Sequence, residues 1–261
     1  MSPRLHWLPD VLEGAGLKVA RQPGWETRGS DTMGPIRGVI CHYTATPDRT
    51  KVMPTLGLLI RGRDDLPGPL SQLGLGRDGT YFVIASGKAN HAGRGAWNGI
   101  ETGNSSFIGI EAENSGRRDD PWPPIQLDAY HRGVAAILAF VGRTAASCCG
   151  HAEWALPAGR KSDPGLDMHA FRQNVAAILG GAAPPPPIIP RAEPTGKGRP
   201  TLRRGDEGEH VHALQAKLGI APPGPFGPKT EAAVRDFQRG KGMVPDGIVG
   251  PKTWLALDQL R

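Results

Sequence analysis

The stretch "RGVICHYTA", residues 37–45, has the composition of a buried β-strand that ends on polar residues. Its β-branched and apolar residues fit a pleated surface, and turn-forming residues follow it. Two further stretches, "GTYFVIA" (79–85) and "FIGIEAEN" (107–114), have the same character and are bounded by glycine and Asp-Gly turn signals. We therefore predict three strands of one sheet, with His42 at the end of the first strand.

Two long stretches with helical periodicity follow the strands. In "PIQLDAYHRGVAAILAFVGR" (124–143), apolar residues recur at positions 127, 130, 134, 137, 138 and 141, and "DMHAFRQNVAAIL" (167–179) has a similar spacing. Each stretch predicts a helix that buries one face, with His131 and His169 on the outer surfaces. Strands interleaved with helices over about 180 residues predict an α/β domain, a mixed central sheet flanked by helices.

The segment "GGAAPPPPIIPRAEPTGKGRP", residues 180–200, has no hydrophobic period and is rich in proline. Such a composition is typical of an extended, semi-rigid spacer. We therefore predict a first domain over residues 1–181 with its core at about 35–180, a linker over 182–200, and a second domain over 201–261.

The part after the linker contains a short internal repeat. Val211, Leu214 and Leu218 have helical spacing, and Gly219 ends this helix. Gly-Pro-Lys-Thr then occurs twice, at 227–230 and 250–253, with proline suited to a first helical turn. We predict a small all-α unit of three helices, which also contains His210 and His212.

Charge and cysteine usage limit the classes of partner. The formal net charge is +6, and residues 182–261 carry 12 basic against 8 acidic side chains, which favours a polyanionic partner. Aromatic residues at 6% and the lack of a Lys/Arg block argue against nucleic acid. The three cysteines cannot form a disulfide framework, which suits a reducing compartment.

No apolar run approaches the roughly 20 residues that a membrane-spanning helix needs. The first residues, "MSPRLHWLPDVLEGAG", lack the apolar core of a signal peptide. We therefore expect a soluble protein made in a cytoplasm, without stable membrane association.

The loop "GHAEWALPAGRKSDPG", residues 150–165, concentrates polar side chains among turn-forming residues. It holds His151, Lys161 and Asp163, while His42 and Glu111 end or lie within predicted strands. Two histidines and a carboxylate, with a fourth position left to water, are a common ligand set of catalytic zinc. The spacing alone leaves a structural role for either histidine open.

Four motifs occur in order: "VICHYTAT" (39–46), "NHAG" (90–93), "IGIEAEN" (108–114) and the loop at 150–165. Together they resemble the zinc-dependent N-acetylmuramoyl-L-alanine amidases, the family of the bacteriophage T7 lysozyme type and the animal peptidoglycan recognition proteins. The resemblance implies zinc ligands at His42, His151 and Asp163, catalytic roles for Glu111 and Lys161, and substrate contacts at His91, Tyr43 and Asn90. Zinc would activate a water, Glu111 would transfer its proton, and Lys161 would stabilise the oxyanion.

Alternatives to this set remain open in the sequence. A thiolate of Cys41 or Cys149 could replace Asp163, although strand neighbours point to opposite faces, which directs Cys41 away from His42. Glu113 shares a strand face with Glu111 and is an alternative base.

The chain also departs from the family pattern. Many members have a histidine or tyrosine where this chain has Ser71 and Gln72, which puts a second catalytic aromatic in doubt. The first thirty or so residues are an extension, for which we predict either a packing role or a wall of the substrate groove.

The C-terminal phrases "GDEGEHVHALQ", "FGPKTEAAVRDFQ" and "PDGIVGPKTW" resemble the three-helix peptidoglycan-binding domain, over residues 201–260. Both resemblances together imply a cell-wall hydrolase whose partner is peptidoglycan, and we expect a monomer. We expect a phage or prophage endolysin, held in the host cytoplasm until the membrane is breached and then acting on the wall. A non-catalytic recognition module and a zinc peptidase cutting within the stem peptide are the alternatives.

Overall fold

The segment "RGVICHYTA" contains a strand, Gly38–Tyr43, inside a six-stranded sheet. The strands are β1 (Lys18–Arg21), β2 (Gly38–Tyr43), β3 (Gly62–Arg63), β4 (Leu66–Pro67), β5 (Leu73–Leu75), β6 (Thr80–Val83), β7 (Phe107–Ala112) and β8 (Cys148–Gly150). The order in the sheet is β1-β6-β5-β7-β2-β8. Neighbouring strands pair in parallel except β5 with β6, and β3 and β4 form a separate antiparallel pair.

The computed structural model describes residues 4–30, 32–181, 199–221, 224–243, 245 and 247–260. The chain divides into two compact units, Met1–Pro187 and Ile188–Arg261. Residues 182–198 of the predicted linker lie outside the described residues, so the linker and its boundaries stay predictions. Within the described ranges, no helix has both the length and the apolar character needed to cross a bilayer.

Three helices of the first unit cover one face of the sheet. Side chains of α1, α4 and α6 pack with alternate side chains of the strands in one hydrophobic core. The prediction of a mixed central sheet flanked by helices is therefore confirmed. The helices of this unit are α1 (Leu8–Gly14), α2 (Leu56–Arg61), α3 (Gly103–Ser106), α4 (Pro124–Phe140), α5 (His151–Trp154) and α6 (Met168–Leu179), with a 3₁₀ turn at Ala145–Ser147.

Alternation along β2 separates the two faces of the sheet. Val39 and Cys41 belong to the helix-covered core, whereas Ile40 packs on the opposite face with Phe107 and Cys149. Because side chains alternate along a strand, His42 lies on the face opposite Cys41. His42 therefore lies on the sheet face that α1, α4 and α6 leave uncovered.

The N-terminal extension has a packing role. Helix α1 contributes Leu8 and Leu12 to the main core, and β1 pairs in parallel with β6 as an edge strand. Of the two roles predicted for this extension, the structure supports the packing role. The described groove residues all follow it, beginning at Tyr43.

The prediction of a surface position for His131 is wrong. Its side chain is 7% exposed, and its ring lies 4.4 Å from the ring of Phe171 in α6. Burial lowers the pKa of His131 to about 4. The packing of α4 against α6 covers this position, whereas His169 is exposed as predicted.

The second unit is all-α, as predicted, with helices α7 (Glu209–Lys217), α8 (Pro228–Gly240) and α9 (Pro251–Asp258) around a small apolar core. Its internal repeat extends to the hydrogen bonds. The side-chain oxygens of Gln215 and Gln238 each accept a hydrogen bond from the backbone amide nine residues later. Their side-chain nitrogens each donate to the backbone carbonyl ten residues later and to the threonine hydroxyl fifteen residues later. Two successive helix-loop-helix segments are therefore closed by the same contacts.

Tyr130 of α4 connects the helix layer to the backbone of the two central strands. The backbone amide of His42 donates to the Tyr130 hydroxyl at 2.9 Å. That hydroxyl in turn lies 3.1 Å from two acceptors, the carbonyl oxygens of His42 and Ile110. The tyrosine is fully buried.

Replacing Tyr130 with phenylalanine should lower the free energy of unfolding by about 1–3 kcal/mol, because buried backbone groups lose their partner. Urea unfolding of the two proteins measures this difference. Tyr43→Phe is the control, since that hydroxyl contacts Ser162 at an exposed position and its removal should change stability by only about 0.5 kcal/mol. Equal effects of the two substitutions would contradict the bracing role of Tyr130.

Candidate active site

Three parallel strands end at one edge of the sheet and bring the predicted residues together. His42 lies directly opposite Glu111 in the register of β2 with β7. His151 follows the last residue of β8, which pairs with the other side of β2. Because carboxyl ends of parallel strands meet at the same edge, residues distant in the chain become neighbours.

Asp163 completes a group of three possible metal ligands. The Nδ1 atom of His42, the Nδ1 atom of His151 and the Oδ2 atom of Asp163 lie 3.0 Å from one another in all three pairs. The loop that carries Asp163 is held by a hydrogen bond from the amide of Ala152 to the Asp163 carbonyl, 2.8 Å. Zinc bound by four ligands at its usual distances has ligand atoms about 3.3 Å apart, close to this spacing.

The hydrogen bonds of His151 direct a lone pair into this group. Its Nε2 atom lies 3.0 Å from the carbonyl oxygen of Ala92. A carbonyl can only accept, so Nε2 carries the hydrogen and Nδ1 of the neutral ring is unprotonated. The unprotonated nitrogen faces a carboxylate oxygen, an arrangement that a cation stabilises. These three side chains can hold a metal ion.

The charge states fit the same conclusion. Burial lowers the pKa of His42 to about 4, an effect only partly offset by the neighbouring carboxylate of Asp163. Burial raises the pKa of Asp163, but the adjacent imidazoles of His151 and His42 outweigh it and hold that pKa well below its ordinary value. At neutral pH the group therefore offers a neutral imidazole and a carboxylate anion, the states in which both bind metals.

Glu111 lies beside the three ligands and has an unused oxygen. Its Oε1 atom is 3.9 Å from Nδ1 of His42, and its Oε2 atom is buried without a hydrogen-bond partner. Burial, followed by the nearby charge of Asp163, raises the pKa of Glu111 well above its ordinary value. A carboxylate with an unsatisfied oxygen at a metal-binding group is well placed to exchange a proton with a reacting molecule.

A groove of about 330 Å³ opens over this group. Lys161 lines it together with His151 and Asp163, and is exposed. Tyr43 and Asn90 also line it, with the Asn90 amide donating to the carbonyl of Pro67 at 2.9 Å. The structure thus brings the predicted catalytic and substrate-contacting residues to one groove.

Two cationic side chains of this groove were not predicted from the sequence. Arg63 lies in the β3–β4 pair, and Arg160 donates to the carbonyl oxygens of Leu156 and Arg94. Arg160 precedes Lys161 in the quoted loop, so its position in "GRKSDPG" was the available signal. No feature of the sequence indicated a groove position for Arg63, because only the folding of its hairpin brings it near Glu111.

His91, the predicted groove histidine, is almost fully buried. It lines the groove but is 7% exposed, with Nδ1 at 3.1 Å from Nε2 of His42 and Nε2 at 3.2 Å from the carbonyl oxygen of Phe107. Burial, followed by the neighbouring His42, lowers the pKa of His91 well below its ordinary value. Both of its ring nitrogens are engaged within the protein.

The cysteine alternatives are not favoured by their positions. Cys41 is buried in the helix-covered core, where its Sγ atom lies 3.5 Å from that of Cys148. Cys149 is buried in the apolar cluster on the other face, and burial raises the pKa of its thiol well above the ordinary value. Neither thiol lies among the described groove residues.

The alternative base, Glu113, has its carboxylate occupied. Its two oxygens accept hydrogen bonds from the hydroxyls of Thr44 and Thr55, at 2.8 and 2.5 Å. Gln72 has a comparable structural role, since its carbonyl accepts from the amide of Gly109 at 2.8 Å. Ser71 and Gln72 are both fully buried, and neither is one of the described residues that line the groove.

The fold and the site define an α/β protein with three possible metal ligands and a carboxylate beside an open groove, an arrangement typical of metal-dependent hydrolases. Residues 32–166, just over half of the chain, match the family N-acetylmuramoyl-L-alanine amidase, and residues 207–257 match a peptidoglycan binding domain. The chain belongs to the N-acetylmuramoyl-L-alanine amidase family. It is a peptidoglycan amidase that carries a peptidoglycan-binding domain.

The chain is similar to several solved structures of amidases and hydrolases. The amidase AmiD from E. coli, in complex with the substrate anhydro-N-acetylmuramic acid-L-Ala-D-gamma-Glu-L-Lys, is 19% identical, with 89% of this chain and 91% of that chain covered and a TM-score of 0.45. The N-acetylmuramoyl-L-alanine amidase LysC from Clostridium intestinale URNW is 15% identical, with 60% and 97% covered and a TM-score of 0.46. The Staphylococcus aureus hydrolase AmiA, in complex with its ligand, is 15% identical, with 64% and 87% covered and a TM-score of 0.45. No curated protein matches the chain.

In the metal-free protein, Glu111→Gln should raise the free energy of unfolding at pH 7. Burial raises the folded-state pKa of this carboxyl, so the folded protein loses stability as pH rises above the unfolded-state value of about 4.3. Below that pH both states are protonated, and the difference between variant and parent should shrink. Urea unfolding in chelator at pH 4 and pH 7 measures both differences.

Glu101→Gln is the control, because Glu101 is exposed and its substitution should change stability by only about 0.5 kcal/mol at either pH. A stabilisation by Glu111→Gln that is the same at both pH values would show that the buried charge is not its cause.

Proposed function

We propose that the metal ion is zinc, held by Nδ1 of His42, Nδ1 of His151 and Oδ2 of Asp163, and that it serves hydrolysis of the amide between N-acetylmuramic acid and L-alanine. The observation that carries this proposal is the convergence of the three ligand atoms, 3.0 Å apart, beside an unpaired Glu111 oxygen in a groove. Three protein ligands that leave a position open are typical of catalytic rather than structural zinc.

Bound zinc supplies a Lewis acid that polarises the amide carbonyl and makes water nucleophilic at neutral pH. In our proposal, Glu111 takes the proton from the attacking water and delivers it to the nitrogen of the leaving L-alanine amine. Its raised pKa suits both transfers, because a stronger base is also a competent acid near neutral pH. The amide bond breaks as that nitrogen is protonated.

Lys161 has a separate role in this proposal. Negative charge develops on the carbonyl oxygen during attack, and an ammonium donor placed at the groove stabilises it. The position of Lys161 among the groove residues, near enough to Glu111 to influence its charge, supports this role. We propose that Tyr43 and Asn90 contact the substrate along the same groove.

Two alternatives compete with this reaction. A non-catalytic recognition module is disfavoured because all three ligands and Glu111 lie together. A zinc peptidase acting within the stem peptide uses the same metal chemistry, and only the identity of the cleaved bond separates it from the amidase.

The second unit supports action on intact walls. A weak wall binder tethered to a hydrolase raises the local substrate concentration, so even millimolar contacts increase turnover on a polymer. We propose that the chain is a monomeric endolysin that lyses the wall from within after the membrane is breached. Its bacteriophage origin and its cytoplasmic stage before lysis stay predictions.

Digestion of purified peptidoglycan tests the reaction. We expect free lactyl ends on muramic acid and new L-alanine amines by mass spectrometry, abolished by chelator and restored by zinc. New amines at other positions would establish the peptidase instead. Active protein that contains no transition metal by elemental analysis would refute the metal proposal.

Matched variants distinguish loss of metal binding from loss of catalytic turnover. Glu111→Ala and Lys161→Ala should keep zinc and fold, yet lose turnover by roughly a hundredfold or more. Loss of zinc in either variant would place that residue among the metal ligands. Retained turnover in Glu111→Ala would assign the base to another group.

Residues 1–181 alone should hydrolyse a soluble muropeptide at nearly the rate of the full chain, because all the proposed chemical residues precede residue 182. On intact walls the truncated protein should be slower, since the tethering advantage is lost. Wall binding by the full chain should weaken with added salt if the basic surplus of its second part contributes. A truncated chain that folds and binds zinc but leaves the soluble substrate intact would show that the second unit completes the site.

A further inference from the structure

We propose that His91 is a positioning residue: together with Ala92 it fixes the tautomers and ring orientations of both metal-binding histidines. This inference rests on the metal site proposed above. It assigns to His91 a function behind His42, in place of the predicted contact with substrate.

The direction of the hydrogen bonds follows from one carbonyl. Phe107 presents its carbonyl oxygen 3.2 Å from Nε2 of His91, and since a carbonyl only accepts, that nitrogen carries the hydrogen. A neutral imidazole then has its lone pair on Nδ1, which lies 3.1 Å from Nε2 of His42. His42 therefore donates from Nε2, and its own lone pair is on Nδ1, the atom that faces His151 and Asp163.

The next residue does the same for the second histidine. The carbonyl of Ala92 accepts from Nε2 of His151 at 3.0 Å, which leaves the lone pair of His151 on Nδ1. Two adjacent residues thus direct two lone pairs to one point. With the carboxylate of Asp163, three lone-pair atoms meet 3.0 Å apart, and without a cation between them they would repel.

The 91–92 segment is itself held in place. The side-chain oxygen of Asn104 accepts from the amides of both His91 and Ala92, at 3.1 and 2.8 Å. An acceptor shared by two consecutive amides fixes the backbone from which both histidines are oriented. The segment is buried at both residues.

The neighbouring strand provides room for the ring. A Cβ atom at Gly109 would lie only 2.6 to 2.9 Å from atoms of the His91 ring, closer than packing allows. Glycine at this position of β7 therefore lets the imidazole lie against the strand. The glycine of the "IGIE" motif has a steric function that its sequence context does not reveal.

Outer hydrogen bonds of this kind orient ligand rings and raise their basicity, and their loss typically costs 10–100-fold in metal affinity. A substrate contact would behave differently. Its loss would raise KM and leave the affinity for zinc unchanged.

The experiment measures the zinc affinity of the full chain by competition with a chelator of known affinity. We expect His91→Phe, which lacks both ring nitrogens, to bind zinc roughly 10–100-fold more weakly than the parent. His91→Asn should bind zinc more tightly than His91→Phe, because an asparagine oxygen can occupy the place of Nδ1 and accept from His42.

His131→Phe and His131→Asn are the matched controls, since His131 has the same 7% exposure but lies between α4 and α6, away from the ligands. They should leave the zinc affinity unchanged. Asn104→Ala provides a second route if His91→Phe fails to fold: it retains all three histidines but releases the 91–92 segment, and it should weaken zinc binding.

The outcomes distinguish this inference from the function on which it rests. If the parent chain binds no zinc, the proposed metal site fails. If the parent binds zinc tightly and His91→Phe and Asn104→Ala bind it equally well, only the positioning role fails. A raised KM for soluble muropeptide with unchanged zinc affinity would return His91 to the substrate groove.

Discussion

Parallel pairing of β2 with β7, with His42 opposite Glu111, is the constraint on which the rest of the site depends. A shift of one residue in either strand would turn its side chains to the other face. His42 would then face the apolar core beneath α4, and Cys41 would face the groove. The hydroxyl of Tyr130 bonds to the backbone of both strands at this point and thereby holds the register.

The two faces of the sheet divide stability from chemistry. On the covered face, apolar side chains of α1, α4 and α6 pack against the strands and supply most of the buried hydrophobic surface. On the other face, the protein buries the imidazoles of His42, His151 and His91 and an oxygen of Glu111 that has no hydrogen-bond partner. Burial disfavours the charged forms of His42 and Glu111, so the site lowers the free energy of unfolding. The apolar packing on the covered face offsets this loss of stability.

The second unit stabilises itself by different means. It has a small apolar core, and its two glutamines repeat one set of hydrogen bonds at a spacing of 23 residues along the chain. The loops before α8 and α9 are thus closed from within the unit. A fold that closes its own loops can bind the wall without help from the catalytic machinery, which suits the tethering role we propose.

The sequence by itself determined the α/β class, strands β2, β6 and β7, helices α4 and α6, the three-helix second unit and the family, because periodicity and local motifs depend on neighbouring residues. The short strands β1, β5 and β8 were not predicted. The sequence also led to His42, His151 and Asp163 through their motif contexts, and these residues lie together in the fold. It placed His131 wrongly, because burial there depends on the packing of α4 against α6. It gave no sign of Arg63 in the groove. Only the tertiary structure decided that His91 lies behind His42, 49 residues away, and that Asn104 and Gly109 hold and accommodate it. Such contacts arise from which strands pair and which loops cover them, and no local pattern of residues encodes that choice.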